Sequence, residues 1–261
     1  MIPRFMVDLH AHIIPGLDDG AKTLEDSVDM CRQAAADGTE IMVATPHRFD
    51  GVHANPPVEE LRSRLDEVQQ AVGDSIRLVL GCELHFTHQI VEQLCESREA
   101  IPINGGPYVL VEFPPFAIPA GCENAIYGMM SAGFKPVIAH PERNHEVQER
   151  PDRYYNLAEL GLLGQIDAGS LLGKFGRPAE QTARLLLECN LGHAVSSDTH
   201  SPRRRRPGLS AAREHVRTLV GDETATALFD TNPRAIVHGQ PVPHRPEPVI
   251  PRAAKKRWLF F

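Results

Sequence analysis

The sequence predicts an α/β fold, a distorted (β/α)7 barrel of the TIM-like kind with its site at the C-terminal ends of the strands. Two observations predict it. Short apolar runs alternate with helix-periodic stretches seven times, which implies a parallel sheet. All seven runs end in His, Asp or Glu, six of them in the candidate ligands, and a closed barrel gathers such ends around one mouth. At 261 residues the chain is long enough for one such domain and a sizeable core.

The first strand starts in the apolar run Phe5-Met6-Val7 and continues into Asp8-Leu9-His10-Ala11-His12. Side chains at i and i+2 of a strand point the same way, so His10 and His12 converge on one point. The turn that follows carries Asp18 and Asp19 ahead of Gly20. Thr23 reads as the N-cap of a helix whose apolar face is Leu24, Val28, Met30, Cys31 and 34–36, closed by Gly38. The second strand, 41–44, ends in Thr45-Pro46-His47, and Leu61, Leu65 and Val68 mark a helix over 57–72. A third strand over 76–81 runs into Cys82-Glu83 and precedes a helix over 87–98.

The fourth strand, 108–111, delivers Glu112, and a helix covers 122–132. The fifth, 136–139, ends in His140-Pro141-Glu142-Arg143, followed by a helix over 152–160. The sixth, 163–167, ends in Asp167, and a helix covers 179–189. The seventh, 193–196, ends in Ser197-Asp198-Thr199-His200, and short helices over 209–220 and 223–229 complete the domain at about residue 240. Residues 241–261 form a separate tail, five prolines predicting an extended, mobile segment with a basic and aromatic end from Lys255 to Phe261. That end suits docking on a neighbouring subunit, an anionic partner or a membrane surface, and equally a frayed terminus.

Composition narrows the function classes. A net charge of −7 argues against general nucleic-acid binding. Five scattered cysteines form no CxxC pair, and together with the lack of a signal peptide this points to free thiols in a reducing cytoplasm. No apolar run reaches membrane-spanning length. Thirteen histidines, several directly after apolar runs, call for an explanation, and metal binding is the leading one. Imidazole and carboxylate ligands without thiolate suit Mn, Fe, Zn or Mg.

DLHAHIIPGLDDG, TPHR, GCELHF, VEFP, IAHPERN and SSDTH together resemble the polymerase-and-histidinol-phosphatase (PHP) superfamily. Within it the chain is similar to the bacterial manganese-dependent protein tyrosine phosphatases of the CpsB/YwqE type, from about Val7 to Pro233. The resemblance implies the PHP form of the barrel and three divalent metal ions, with manganese the family's habit. It assigns one ion to His10, His12, Glu83 and Asp198. A second shares Glu83 and adds Glu112 and His140. The third takes Asp19, His47 and His200. It further implies a phosphotyrosine protein substrate, the tyrosine-rich tail of a membrane-associated kinase controlling polysaccharide export, and leaves room for a homo-oligomer.

Arg143, three residues after His140, is the candidate phosphate clamp, since its planar fork matches phosphate oxygens. The family's second arginine falls in the run Arg203-Arg204-Arg205-Arg206, where Arg205 is the positional match and Arg206 its close second. The run of four departs from the family pattern. A cysteine-nucleophile phosphatase needs Arg six residues after Cys, and none of the five cysteines has it. Tyr108, Phe113 and Phe116 are candidates to pack beside a substrate ring, and His85 and His88 to line the mouth. Competing readings are a small-molecule phosphatase of the histidinol phosphate kind, a nuclease, and a regulatory module that binds metal or phosphotyrosine without turnover.

Overall fold

Parallel pairing organises the whole chain, as the alternation of apolar runs predicts. The structure, a computed structural model, describes residues 5–95 and 100–251. In the first half, β1 (Met6–Ala11), α1 (Leu24–Ala36), β2 (Thr39–Ala44), β3 (His47–Arg48), α2 (Val58–Val72), β4 (Arg77–Leu80), β5 (Glu83–His85) and α3 (Ile90–Cys95) follow one another. Next come β6 (Tyr108–Glu112), α4 (Cys122–Ser131), β7 (Lys135–Ala139), α5 (His145–Glu149), α6 (Pro151–Ala158) and β8 (Leu163–Asp167). The last part holds α7 (Ala168–Leu171), α8 (Arg177–Glu188), β9 (Ala194–Ser196), α9 (Ser210–Val220), α10 (Asp222–Thr226) and α11 (Asn232–Val237). The expected end of the third helix, 96–98, and the tail from Lys255 onward lie outside the described residues.

Among the described residues seven strand positions carry nine strands, because two are broken. The second divides at Thr45-Pro46 and the third at Gly81-Cys82. Proline cannot donate to a ladder, so pairing lapses there and resumes one step on. The breaks let the strands change sheets: β1-β2-β4 form one, and β3-β5-β6-β7-β8-β9 the other. A bridge between Ala11 and Thr199 ties the end of β9 back to β1. His12 N donates to Thr199 O at 2.9 Å and Asp198 N to His10 O at 3.0 Å, so first and last strands are stitched where the ligands sit.

All the described strands except the short β3 and β5 contribute to an inner apolar cluster that includes Val7, Leu9, Val43, Val79, Leu110 and Val137, closed at one end by Ile236 and Val237 of α11. The other face packs on the helices through a larger cluster. Helix boundaries follow local chemistry. Thr23 Oγ1 accepts from Asp26 N at 3.2 Å to start α1. Met30, Cys31 and Ala34 are its buried face, while Leu24 stays exposed. Asp37 is the cap and Gly38, at φ 100°, turns the chain out of the helix.

The segment after Gln240 corrects an expectation. Instead of swinging free, it is pinned to the barrel as far as Val249, whose N–H donates to Cys189 O at 2.9 Å. Asn232 Nδ2 donates to His244 O at 2.7 Å, and His244 N donates back to Asn232 Oδ1 at 3.0 Å.

Candidate metal centre

Strand parity aims most of the site. His47, Glu83, Glu112 and Asp198 lie at even spacing from Val43, Val79, Leu110 and Ala194 of the inner cluster, so they leave their strands on its side, above it. His10 and His12 break this rule, because Leu9 faces the inner cluster. Here the β1–β2 register shifts between Asp8 and Ala11, and the irregularity re-aims both imidazoles. His140 and Asp198 have φ of 30° and 47°, a left-handed conformation costing a non-glycine residue ~1–3 kcal/mol. At His140, whose odd spacing from Val137 would aim it away from the inner cluster, that turn accompanies the inward placement. Gly20 holds the loop over the site, since a Cβ there would stand 2.2 Å from His12 O.

The ligand-type atoms crowd one point. His10 Nε2 lies 3.1 Å from His12 Nε2, 3.1 Å from Glu83 Oε2 and 3.3 Å from Asp198 Oδ1. His12 Nε2 lies 3.3 Å and 3.5 Å from the same two oxygens. Ligand bonds of about 2.1 Å at tetrahedral angles set donor atoms about 3.4 Å apart, so His10, His12 and Glu83 fit one divalent ion, with Asp198 close to both imidazoles. His140 Nε2 is 3.1 Å from Glu83 Oε1 and 3.8 Å from Glu112 Oε1. His200 Nε2 and His47 Nε2 stand 3.2 Å and 3.5 Å from Asp19 Oδ1.

All nine sequence-selected ligands, His10, His12, Asp19, His47, Glu83, Glu112, His140, Asp198 and His200, therefore meet in one region. Its geometric groups are His12 with Asp19, His47 and His200; His10 with His12 and Glu83; His10 with His140 and Asp198; and His47 with Glu83 and Glu112. His12 thus also sits with the third expected set, and Glu112 lies beside His47 as well as Glu83.

Electrostatics match the burial. Burial alone would raise Glu83 and Asp198, but His10, with His12 and His140, draws both carboxyls well below their usual range, and Arg205 adds to the pull on Asp198. Asp198 Oδ1 and His47 Nδ1 are buried and make no hydrogen bond, although His47 Nδ1 lies 3.1 Å from Glu83 Oε2, and such atoms are free to face a cation. Three other imidazole nitrogens are spoken for. His10 Nδ1 donates to Gln165 Oε1 at 2.9 Å, His12 Nδ1 to Asp18 Oδ2 at 2.8 Å, and His200 Nδ1 to Asp198 O at 2.9 Å. Each bond keeps a proton on Nδ1, so that Nε2 is the nitrogen turned to the centre and the one a cation would take once its proton has left.

Two arginines complete the site. Arg143 Nη1 and Arg205 Nη2 both donate to Asp198 Oδ2, and both guanidiniums lie over the Phe175 ring, at 4.4 Å and 5.6 Å from its centroid. Arg206 is not brought in. It is exposed, and its Nε donates to Gln33 Oε1 at 3.1 Å.

Comparison with known proteins follows the same lines. Residues 6–238 match the family described as capsular polysaccharide synthesis, CpsB/CapC. The chain belongs to the CpsB/CapC family. It is 35% identical over 257 residues to the tyrosine-protein phosphatase YwqE of Bacillus subtilis, covering 98% of this chain and 99% of that one. Among solved structures it matches that of YwqE from Bacillus subtilis and CpsB from Streptococcus pneumoniae, called unique metal-dependent tyrosine phosphatases, with TM-score 0.88 and 33% identity over 94% of this chain and 99% of that one. A histidinol phosphate phosphatase from Lactococcus lactis shares the fold at TM-score 0.57 and 12% identity, covering 87% of this chain and 99% of that one.

Within this CpsB/CapC site, sequence reasoning missed three supporting residues. Gln165 had a signal, a lone polar residue inside an apolar strand. Asp18 stood in the same turn as Asp19 but had no distinguishing spacing. Its carboxylate, which burial alone would raise, is held at about 2 by His12 and the backbone amides of Gly20 and His47. Phe175 sits in the turn after α7, where nothing in the text marks it. Tyr108 is corrected as a ring neighbour, since its hydroxyl donates to Gln240 O at 2.7 Å, beyond the strand's opposite end. His85 Nδ1 lies 3.7 Å from Glu112 Oε2, and His88 packs on the Phe86 ring. Burial pushes the thiols of Cys31, Cys82 and Cys122 up to about 12, the reverse of what a thiolate nucleophile requires. Among the described residues no helix is long and apolar enough to cross a membrane.

Proposed function

We propose that this chain is a metal-dependent phosphomonoester hydrolase acting on phosphotyrosine in proteins. One observation carries the reading: Asp198 offers one oxygen to the imidazole cluster while its other oxygen holds Arg143 and Arg205 together. A cation site and a two-pronged phosphate clamp thus share one carboxylate. Three divalent ions are proposed, manganese by family habit, held by the nine ligands named above. When bound, such ions make water nucleophilic at neutral pH and offset charge on phosphoryl oxygens.

The chain's own residues do the rest. Arg143 and Arg205 present planar donor forks to phosphoryl oxygens, and Phe175 beneath them keeps the two guanidiniums side by side. Beside them opens a cleft of about 390 Å³ lined by residues including Glu112, Phe113, Pro115, His140, Arg143 and Asn144. Phe113 and Pro115 give it an apolar wall suited to an aromatic ring, while Arg143 marks its anionic end. Phe116, 73% exposed, stands beside it on the His145 ring.

The physiological partner in this reading is a phosphorylated tail of a membrane-associated tyrosine kinase in the cytoplasm, with capsule or exopolysaccharide synthesis as the setting. Support comes from the CpsB/CapC match and from the names of the relatives. The test is phosphate release by the purified chain from a phosphotyrosyl peptide and from histidinol phosphate, each with chelator and after manganese is restored. Chelator-sensitive turnover that strongly favours the peptide is expected. Equal or better turnover of histidinol phosphate points to the small-molecule alternative. Specific metal or phosphotyrosine binding without turnover of either points to a regulatory module.

A further inference from the structure

The four-arginine run does more than supply one clamp. Its backbone is held in a fixed turn, with Thr199 Oγ1 donating to Arg205 O at 2.7 Å, Arg204 N to Ser201 Oγ at 2.9 Å and Gln33 Nε2 to Pro202 O at 3.1 Å. The turn sends its side chains in separate directions. Arg205 goes to Asp198 and Arg206 to Gln33, whereas Arg203 and Arg204 are exposed with no ion-pair partner among the described residues. Both line a cleft of about 690 Å³ whose wall also includes Lys22, Asp19 and His200. Lys22 Nζ donates to Asp18 O at 2.9 Å, which places the ammonium group against the same loop.

This cleft borders the cluster of ligand residues through other members than the apolar cleft does. Asp19 and His200 belong to both cleft and cluster, as Glu112 and His140 do for the first cleft. Of its carboxylates, Asp19 faces the imidazoles of His47 and His200, which leaves Asp26 alone against three cations. Adjacent like charges repel, and an incoming anion relieves that repulsion.

We infer that this second cleft receives another anionic group of the substrate, so that the preferred substrate is a phosphotyrosine flanked within a few residues by a carboxylate or a second phosphate. An extended peptide advances roughly 3.3 Å per residue, so near neighbours of the phosphotyrosine reach the adjoining cleft. The inference rests on the phosphatase reading above and deepens it.

The test uses the full chain loaded with manganese and three peptides of one length: a phosphotyrosine with neutral flanks, the same with Asp and Glu flanks, and one with two phosphotyrosines. An anionic neighbour is expected to raise kcat/KM about five- to tenfold, through KM, with the gain shrinking as salt is added. The variant Arg203→Ala/Arg204→Ala is expected to level the peptides while hydrolysing free phosphotyrosine as the wild type does. A gain with both anionic peptides assigns the cleft to carboxylate and phosphate alike; a gain with the doubly phosphorylated peptide alone assigns it to phosphate. Equal kcat/KM for all three in the wild type, or a preference that survives in the variant, overturns the inference and leaves the phosphatase reading standing. Failure to hydrolyse any phosphotyrosyl substrate overturns both.

Discussion

Gln165 Oε1 accepts the Nδ1 proton of His10 at 2.9 Å, both residues being fully buried. The amide is itself fixed, because its Nε2 donates to Ile166 O at 2.8 Å. Gln165 therefore decides which nitrogen of His10 is free, although it offers no atom to the cluster itself. Gln165→Leu is expected to weaken metal binding by about 10- to 100-fold, with activity recovering at high metal concentration. Metal titration followed by calorimetry checks this. Unchanged affinity would show that the imidazole needs no second partner.

Gln165 also marks how far the text could be read. The strand periodicity that reveals β6, β8 and β9 also points His47, Glu83, Glu112 and Asp198 inward, since they share parity with apolar neighbours in the inner cluster. Periodicity says nothing of the register shift in β1 or the left-handed turn at His140, so those ligands were legible as residue types without their geometry. The strand breaks at Pro46 and Gly81 had a local cue that length alone conceals. Phe175 and the pinned segment after Gln240 depend on tertiary contacts between distant stretches, which no local pattern encodes.

Metal binding should release protons. Burial lowers His10, yet the charges of Glu83 and Asp198 outweigh it and raise the imidazole to about 9, while His12 is also raised well above its ordinary value. In the metal-free chain these pairings stabilise the fold fully below 6.5, and the His10 part is lost as pH rises through about 9. A ligand must be deprotonated, so near neutral pH the incoming cation displaces these protons and its affinity climbs with pH. Calorimetry in buffers of different ionisation enthalpy counts the protons released. A pH-independent affinity across this range would contradict the assignment of His10.

At the other end of the barrel His193 works in the opposite sense. Its Nδ1 accepts from Gly164 N at 3.0 Å, and burial, with the positive charges of Arg245 and His244, lowers it from 6.5 to about 3. The unfolded chain thus binds a proton that the folded chain refuses. Stability is fully present above 6.5 and falls as pH drops toward about 3, by up to about 1.4 kcal/mol per pH unit. His193→Gln is expected to flatten that acid limb in urea unfolding while leaving activity near neutral pH intact. An unchanged slope would show that His193 is not the group responsible.

The clamp invites a double-mutant cycle, because Arg143 and Arg205 share an acceptor and a ring. Arg143→Ala is expected to cost ~2–4 kcal/mol in kcat/KM, as removal of an oxyanion donor does. Arg205→Ala should cost a comparable amount, and Arg206→Ala next to nothing, since that side chain leads to Gln33. The first two losses should not add. With one arginine gone, Asp198 Oδ2 keeps a single donor and the surviving guanidinium is drawn to it, away from phosphate, so each single variant already carries part of the other's defect. A coupling of about 0.5–3 kcal/mol is expected on that ground. Phe175→Ala should reproduce a fraction of the loss without removing any donor, mainly by loosening the orientation of both forks. Strict additivity of Arg143→Ala and Arg205→Ala, with Phe175→Ala silent, would mean that the two guanidiniums act as separate contacts rather than as one clamp.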